Sequence, residues 1–382
     1  MNKIDYVVTS TTKYIEQMTK AQRKKYGQFF TSKETAVFMA ELFDLQSASG
    51  TVSILDPGAG SGILSTALIE RMLDVAAITK IKLVCYESDT NILELLRSNM
   101  DWVCAHASKP IEYEIVADNY ILSQMADYNH MLWESPNPPK YDYVIGNPPY
   151  MKIPKDAPEA LAMPDVCYGA PNLYFIFASM SLFNLKSDGE MVYIIPRSWT
   201  SGAYFKKFRQ KFLDEGALEH IHLFVSRDKV FEKESVLQET IIIKVKKAKN
   251  KPQNVTITTT QSNADFSQKT VFHAPYDTVV NGKDQYVYLV TNAKEVETLE
   301  RLNRLPNTLP SIGLKMKTGL TVDFRNREAL RDHAEATAVP LFYSQHIKNG
   351  KVEFPIGKEH EYLVTEQNGL LQKNSNYLFV KR

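Results

Sequence analysis

The sequence has little of what would mark a secreted, membrane-bound or metal-held protein. Its 382 residues include three cysteines, Cys85, Cys104 and Cys167, none in a Cys-x-x-Cys pair or at zinc-ligand spacing. An odd number without a framework points to reduced thiols, as in a cytosol. No apolar run approaches the roughly 20 residues needed to cross a bilayer. The opening residues, MNKIDYVVTSTTKYIEQ, lack the apolar core of a secretion signal. The expected location is therefore the cytoplasm. An excess of one charge is missing too: 45 Lys and Arg against 44 Asp and Glu leave a formal net charge of +1. The chain as a whole is thus not a polycation made for nucleic acid. Internal repeats, low-complexity tracts, a metal-ligand cluster and a Pro-Asp…Asp/Glu-x-Lys nuclease signature are all absent.

What is present is length enough for two domains and the composition of an ordinary globular protein. Basic residues gather locally at Arg23-Lys24-Lys25, at Lys206-Lys207 with Arg209 and Lys211, and from Lys244 to Lys251. Each run reads as a solvated helix face or strand end. Strand-like and helix-like stretches alternate. Helical spacing over about 10–44 breaks at Gly27 to Ser32. VSILD (52–56), KLVCYE (82–87), IEYEIVAD (111–118) and YDYVIG (141–146) read as strands. NLYFIFASMSLFNL (172–185) reads as a buried helix, followed by the strand EMVYIIP, the helix YFKKFRQKFL and the strands IHLFV and ETIIIKV. Such alternation predicts an open α/β sheet wound on both faces. Composition turns β-branched and polar after about residue 250, which sets an expected domain boundary there, with short strand-like pieces such as VPLFYSQHI and NYLFV beyond it.

Four elements carry chemistry. The first is Asp56 at a strand end, then Pro57-Gly58-Ala59-Gly60-Ser61-Gly62, then a helix. Glycines without Cβ let a backbone approach a ligand closely. An anion before the loop repels phosphate and accepts from an amine, which favours a cofactor bearing an amino acid, such as S-adenosylmethionine. Glu87, ending the next strand, suits ribose hydroxyls. Asp118, ending the third, could accept from the cofactor's adenine amino group. Each of these alone is as well explained by a tight turn or a surface carboxylate; their alignment along one sheet edge is what counts. The fourth and most specific element is Asn147-Pro148-Pro149-Tyr150 after the fourth strand. The Asn147 amide oxygen and the Pro148 carbonyl are two acceptors for one exocyclic amine. Tyr150 can stack on a base held outside its helix.

LDPGAGSG (55–62), YESD (86–89) and VIGNPPY (144–150), in this order, resemble the amino-methyltransferases of bacterial restriction-modification systems. KYGQFFT (25–31) resembles that family's additional cofactor motif, and the motif order is that of the gamma class of adenine DNA methyltransferases. The resemblance covers roughly residues 20–250. It implies a doubly wound, Rossmann-like α/β sheet for 1–250 and a smaller, incomplete target-recognition domain in 251–382. It implies that Phe30 and Thr31 lie near the methionine moiety of S-adenosylmethionine, that Asp56, Gly58 and Gly60 shape its pocket, that Glu87 binds the ribose and Asp118 the adenine, and that Asn147, Pro148, Pro149 and Tyr150 hold the target base. Phe231 is placed either in the family's base-stacking position or as a loop phenylalanine packed on the sheet. One departure is Ser32, where the family usually has proline.

The implied reaction is direct methyl transfer to an adenine amino group in DNA. It needs no nucleophilic cysteine, and the three cysteines read as core or strand residues. His220 and His222 read as structural or surface. The alternatives are an amino-methyltransferase acting on RNA or a protein glutamine, and a non-catalytic DNA-binding subunit; KYGQFFT counts against the first, and intact Asp56, Glu87 and Asn147 to Tyr150 against the second. The expected partners are double-stranded DNA and either a cognate restriction endonuclease or a second chain completing the recognition domain. That last expectation rests on the strand-like end NYLFVKR, which carries no turn or polar tail.

Overall fold

The computed structural model describes residues 2–17, 19, 30–129, 140–169, 171–225, 239–373 and 375–381. In chain order these form α1 (Lys3–Gln17), α2 (Lys33–Glu41), β1 (Gly50–Asp56), α3 (Ile63–Leu73), β2 (Ile78–Tyr86), α4 (Leu93–Ala105), β3 (Ile111–Val116), α5 (Tyr120–Tyr128), β4 (Tyr141–Gly146), α6 (Pro158–Ala162), α7 (Leu173–Asn184), β5 (Leu185–Pro196), α8 (Lys206–Glu215), β6 (Ala217–Phe224), β7 (Thr240–Lys246), β8 (Asn254–Thr260) and β9 (Thr270–Pro275). Further on come a hairpin of β10 (Val280–Asn281) and β11 (Tyr286–Val287), and a helix, Ala293–Asn303.

The strands form one sheet in the order β3-β2-β1-β4-β5-β7-β6-β8-β9. From β3 to β5 every pairing is parallel; β7 runs antiparallel between β5 and β6. The chain winds outward from β1 in one direction and from β4 in the other. That reversal between β1 and β4 is where an open α/β sheet leaves a crevice for a ligand, outside the carboxyl ends of its strands. The expected doubly wound sheet is what forms.

Side chains alternate across the sheet with a period of two. Leu55, Val144, Met191, Tyr193 and Ile195 enter one core, beneath α7. Ile54, Tyr143, Ile145, Val192 and Ile194 enter the other, beneath α1, α2 and α3. Helix α7 is apolar all round and almost wholly buried, as such a composition requires. Its start is set by Asn172, whose side chain accepts from the Tyr174 N–H.

The structure differs from the sequence reading in several places. The first helix starts at Lys3, earlier than the helical spacing indicated. The sheet runs on past residue 250, because the β-branched stretch there pairs with β6 and becomes β8. Two cations read as solvated are buried. Arg209 donates to the carbonyls of Trp199 (2.9 Å), Gly202 (2.7 Å) and Asp284 (3.0 Å). Lys244 pairs with Glu190 (2.8 Å) and Glu219 (3.1 Å). Arg23-Lys24-Lys25 lie outside the described residues. His222 is buried and His220 half-buried, so the structural reading holds for both. Among the described residues no helix is long and apolar enough to cross a membrane.

The chain divides into two compact units, Met1–Arg304 and Leu305–Arg382. The second has strands of two residues each around a small core that includes Leu330 and Leu363. A buried pair, His346 Nε2 and Glu361 Oε1 at 2.8 Å, braces it. Residues 376–380, NYLFV, form no strand.

Candidate active site

The glycine loop follows β1 directly. Asp56 is 1% exposed; its Oδ2 accepts from the Ser65 hydroxyl at 2.6 Å, while Oδ1 has no partner that meets hydrogen-bonding geometry. Burial raises its pKa to about 7 and Glu87 adds to the rise, against the opposing pull of the Ser65 hydroxyl and the Gly58 amide. Gly60 stands at φ +56°, and its N–H donates to Glu87 Oε2 at 2.9 Å. The other Glu87 oxygen accepts from the Asp89 N–H at 2.8 Å. Glu87 therefore shapes the loop, a role that sequence spacing does not show. Burial raises its pKa, opposed by those two amides.

Asp118 lies two residues past β3, is exposed, and accepts from the N–H of Asn119 at 2.6 Å. Asn119 caps α5, accepting from Ile121 and Leu122.

After β4 the chain turns through Asn147-Pro148-Pro149-Tyr150. Gly146, the last strand residue, sits on Tyr193: a Cβ there would be 2.5 Å from the ring. Asn147 Nδ2 donates to the Thr31 hydroxyl at 3.2 Å, and the Tyr150 hydroxyl donates to Asn147 Oδ1 at 2.7 Å. The Ile194 carbonyl is a second acceptor for the same hydroxyl at 3.0 Å. Desolvation pushes the Tyr150 phenol well above its ordinary pKa, so it stays a donor. Its ring meets Tyr174 edge-on, centroids 6.4 Å apart. Pro148 is buried; Asn147, Pro149 and Tyr150 are half-buried.

Phe30 and Thr31 are half-buried beside this turn's partner surface, ahead of α2. Ser32 caps α2 through a bond from the Thr35 N–H, at φ −67° and ψ 157°. That φ is the one a proline ring imposes, so the departure from the usual proline leaves the backbone path unchanged. The structure thus brings Thr31, Asp56, Gly58, Gly60, Glu87 and Asn147 to Tyr150 to one sheet edge. Phe231 and residues 25–29 of the KYGQFFT segment lie outside the described residues. Sequence reasoning missed Ser65, on the first turn of α3, where a hydroxyl can reach back to the preceding strand end.

The residues fit S-adenosylmethionine. A buried carboxylate, Asp56, with one unsatisfied oxygen and the half-buried Glu87 suit a cationic amino acid and a ribose diol, and they disfavour a phosphate. A Cβ on Gly60 would meet nothing within 4 Å, which is open room above the loop.

Residues 73–231 match the Eco57I restriction-modification methylase family. The type II methyltransferase M.PstI of Providencia stuartii is 34% identical over 369 residues, taking in 94% of this chain and 71% of that protein. M.BsuBI of Bacillus subtilis is 32% identical over 372 residues, 94% of this chain and 72% of that one. A protein solved as the modification subunit of a type I restriction enzyme from Vibrio vulnificus YJ016 shares the fold, with a TM-score of 0.54 at 13% identity over 77% of this chain and 66% of that chain. The crevice, the motif order and this likeness along most of both type II relatives agree: the chain belongs to the type II DNA methyltransferases of restriction-modification systems, which take their methyl group from S-adenosylmethionine.

Proposed function

We propose that this enzyme methylates the exocyclic amino group of an adenine turned out of double-stranded DNA. The observation that carries the proposal is the pinned Asn147 amide: Thr31 holds its nitrogen and Tyr150 one side of its oxygen. A carbonyl oxygen has two lone pairs. One serves Tyr150, and the proposal assigns an amine hydrogen of the target to this same oxygen. The Pro148 carbonyl takes the second amine hydrogen. Holding both hydrogens on two neutral acceptors turns the nitrogen lone pair toward the cofactor crevice and polarises the amine. S-adenosylmethionine, when bound, supplies a methyl group activated by its sulfonium.

Around that centre, Asp56, Gly58 and Gly60 receive the amino-acid end of the cofactor, with Phe30 and Thr31 beside it. Glu87 takes the ribose and Asp118 the adenine amine. Pro149 shapes the turn, Tyr150 lines the base pocket and Phe231 stacks on the base. Sequence readout belongs to the part of 251–382 that follows β9, the last strand of the sheet, and a cognate endonuclease is the natural companion activity. The test is plasmid DNA incubated with the enzyme and labelled cofactor, then digested to nucleosides and analysed by mass spectrometry. N6-methyladenine is the expected product. N4-methylcytosine, or label transferred only to RNA or protein, would refute the adenine assignment.

A further inference from the structure

A target base that reaches Asn147 brings its duplex to the sheet edge where β4 and β5 end. These strands are parallel, with Gly146 level with Tyr193, so residues 147–169 and 197–205 rise from the same edge. Each segment holds out one tyrosine. Tyr168 is 57% exposed and Tyr204 61%, yet their rings pair, centroids 6.5 Å apart with planes at 33°. Among the described residues of the first unit, no other tyrosine, phenylalanine or tryptophan is so exposed.

The pair is fixed from below. Gly169, at φ +72°, lies against Tyr204 so closely that a Cβ would come within 2.5 Å of the ring. Phe205, next along the chain, packs on Tyr174 at 6.0 Å and on Phe175 at 5.6 Å. Tyr174 meets Tyr150 edge-on and is joined through its hydroxyl to Ser198 at 3.0 Å. Through its chain neighbour Phe205, Tyr204 is therefore tied to the aromatic cluster that reaches the Asn-Pro-Pro-Tyr turn. Exposed Lys152 and Lys155 sit on the loop that carries Tyr168. Exposed Lys207 follows Tyr204 and reaches back to the Pro164 carbonyl at 3.2 Å. The loop of Tyr168 also carries exposed Asp156 and Asp165, so it is the rings, a poor surface for a free protein left in water, that match the stacked bases of a nucleic acid, with the lysines beside them for phosphates.

We infer that Tyr168 and Tyr204 form a contact surface for the double-stranded DNA flanking the target base, their faces covering bases that extrusion of the target leaves unstacked, with Lys152, Lys155 and Lys207 on the phosphates. This rests on the assignment of Asn147 to the target amine. The test is fluorescence anisotropy with a short fluorescein-labelled duplex taken from plasmid DNA, beside calorimetry with the cofactor. The paired variant Tyr168→Leu/Tyr204→Leu should bind the duplex about tenfold more weakly or worse, with cofactor affinity unchanged. Tyr168→Phe/Tyr204→Phe keeps both ring faces and should stay within about twofold of the parent. Lys152→Gln and Lys155→Gln should each lower the slope of log affinity against log salt by about one. Undiminished duplex binding by the leucine pair would overturn the inference, and so would equal weakening in the leucine and phenylalanine pairs. Binding requires no methyl transfer, so a failed adenine assignment would appear in the nucleoside product and leave this measurement interpretable.

Discussion

Thr31 and Asn147, 116 residues apart in the chain, meet at 3.2 Å, the asparagine amide donating to the threonine hydroxyl. The contact joins the segment just before α2 to the turn after β4. An asparagine amide can rotate by half a turn and exchange its oxygen for its nitrogen. Here Thr31 accepts on one side and Tyr150 donates on the other, so the amide stands with its oxygen toward Tyr150. In the proposed reaction, this orientation presents an acceptor to the target amine.

Thr31→Val removes the hydroxyl and keeps the shape. A hydrogen bond between neutral partners contributes about 0.5–1.5 kcal/mol, so turnover should fall by up to about tenfold. Thr31→Ser should restore it. Asn147→Ala goes further and should abolish methyl transfer while sparing cofactor binding. If Thr31→Val instead weakened cofactor binding and left turnover intact, the hydroxyl would belong to the cofactor and not to Asn147.

Cofactor affinity should depend on pH through Asp56. Its pKa in the free enzyme is raised to about 7, chiefly by burial. A cationic amine prefers the carboxylate form, so below about pH 7 binding must expel a proton. Affinity should therefore rise by up to roughly tenfold per pH unit toward about pH 7 and level off above it. The sign for folding is the reverse. The folded group holds its proton to a higher pH than the unfolded one, so its contribution to stability is full below about pH 4 and is lost as the pH rises to about 7. Calorimetry at several pH values checks the first point. An equally steep affinity profile in Asp56→Asn would remove Asp56 from the explanation.

His220 and His222 carry the opposite dependence. Burial lowers their pKa values to about 4 and about 3, with Lys244 adding for His220 and His220 itself adding for His222. The unfolded chain takes up these protons first, so stability should fall as the pH drops below about 6.5 and go on falling toward about pH 3–4. Thr258 Oγ1 lies 2.8 Å from both His220 Nε2 and His222 Nδ1. Thr258→Val would leave buried imidazole nitrogens without that partner, a cost of about 1–3 kcal/mol. Thermal melting at neutral and acid pH measures both effects. A melting temperature indifferent to pH over this range would show that the histidines do not control acid stability.

The strands β1 and β4 were legible because buried parallel strands are short apolar runs, here closed by an acid or a glycine, and the edge strand β3 by its alternation of apolar and glutamate residues. The Asn-Pro-Pro-Tyr turn was legible because its residues allow little else after a strand. Less accessible were contacts made over long distances. Arg209 neighbours Phe208 and Phe212 on α8, but its burial comes from carbonyls at Trp199, Gly202 and Asp284, which no local pattern reveals. Glu87 reads as a ligand-facing acid, and only the fold shows that it also holds the Gly60 amide. The change in composition near residue 250 marks the start of β8, an added strand of the same sheet, since β-branched residues serve a sheet as well as they mark a boundary.

Two glycines of the loop should separate binding from folding. Gly60, at φ +56°, has nothing within 4 Å of where a Cβ would stand. Gly60→Ala therefore costs the strain of a left-handed alanine, about 1–2 kcal/mol, and no steric clash within the protein. The new methyl group stands in the room above the loop, where the proposal places the amino-acid end of the cofactor. The enzyme should fold with a slightly lowered melting temperature and bind cofactor markedly more weakly. Gly62, at φ +82°, differs: a Cβ there would lie 2.6 Å from Met100 Cε and 3.1 Å from Leu96 Cδ1. Both side chains are fully buried on α4 and cannot move aside without disturbing the core. Gly62→Ala adds overpacking of about 1–3 kcal/mol to the same strain, so its main effect should be on melting temperature. Measuring melting and cofactor affinity for both variants tests the division. If Gly60→Ala bound S-adenosylmethionine as tightly as the parent, the space above Gly60 would not be where the cofactor lies.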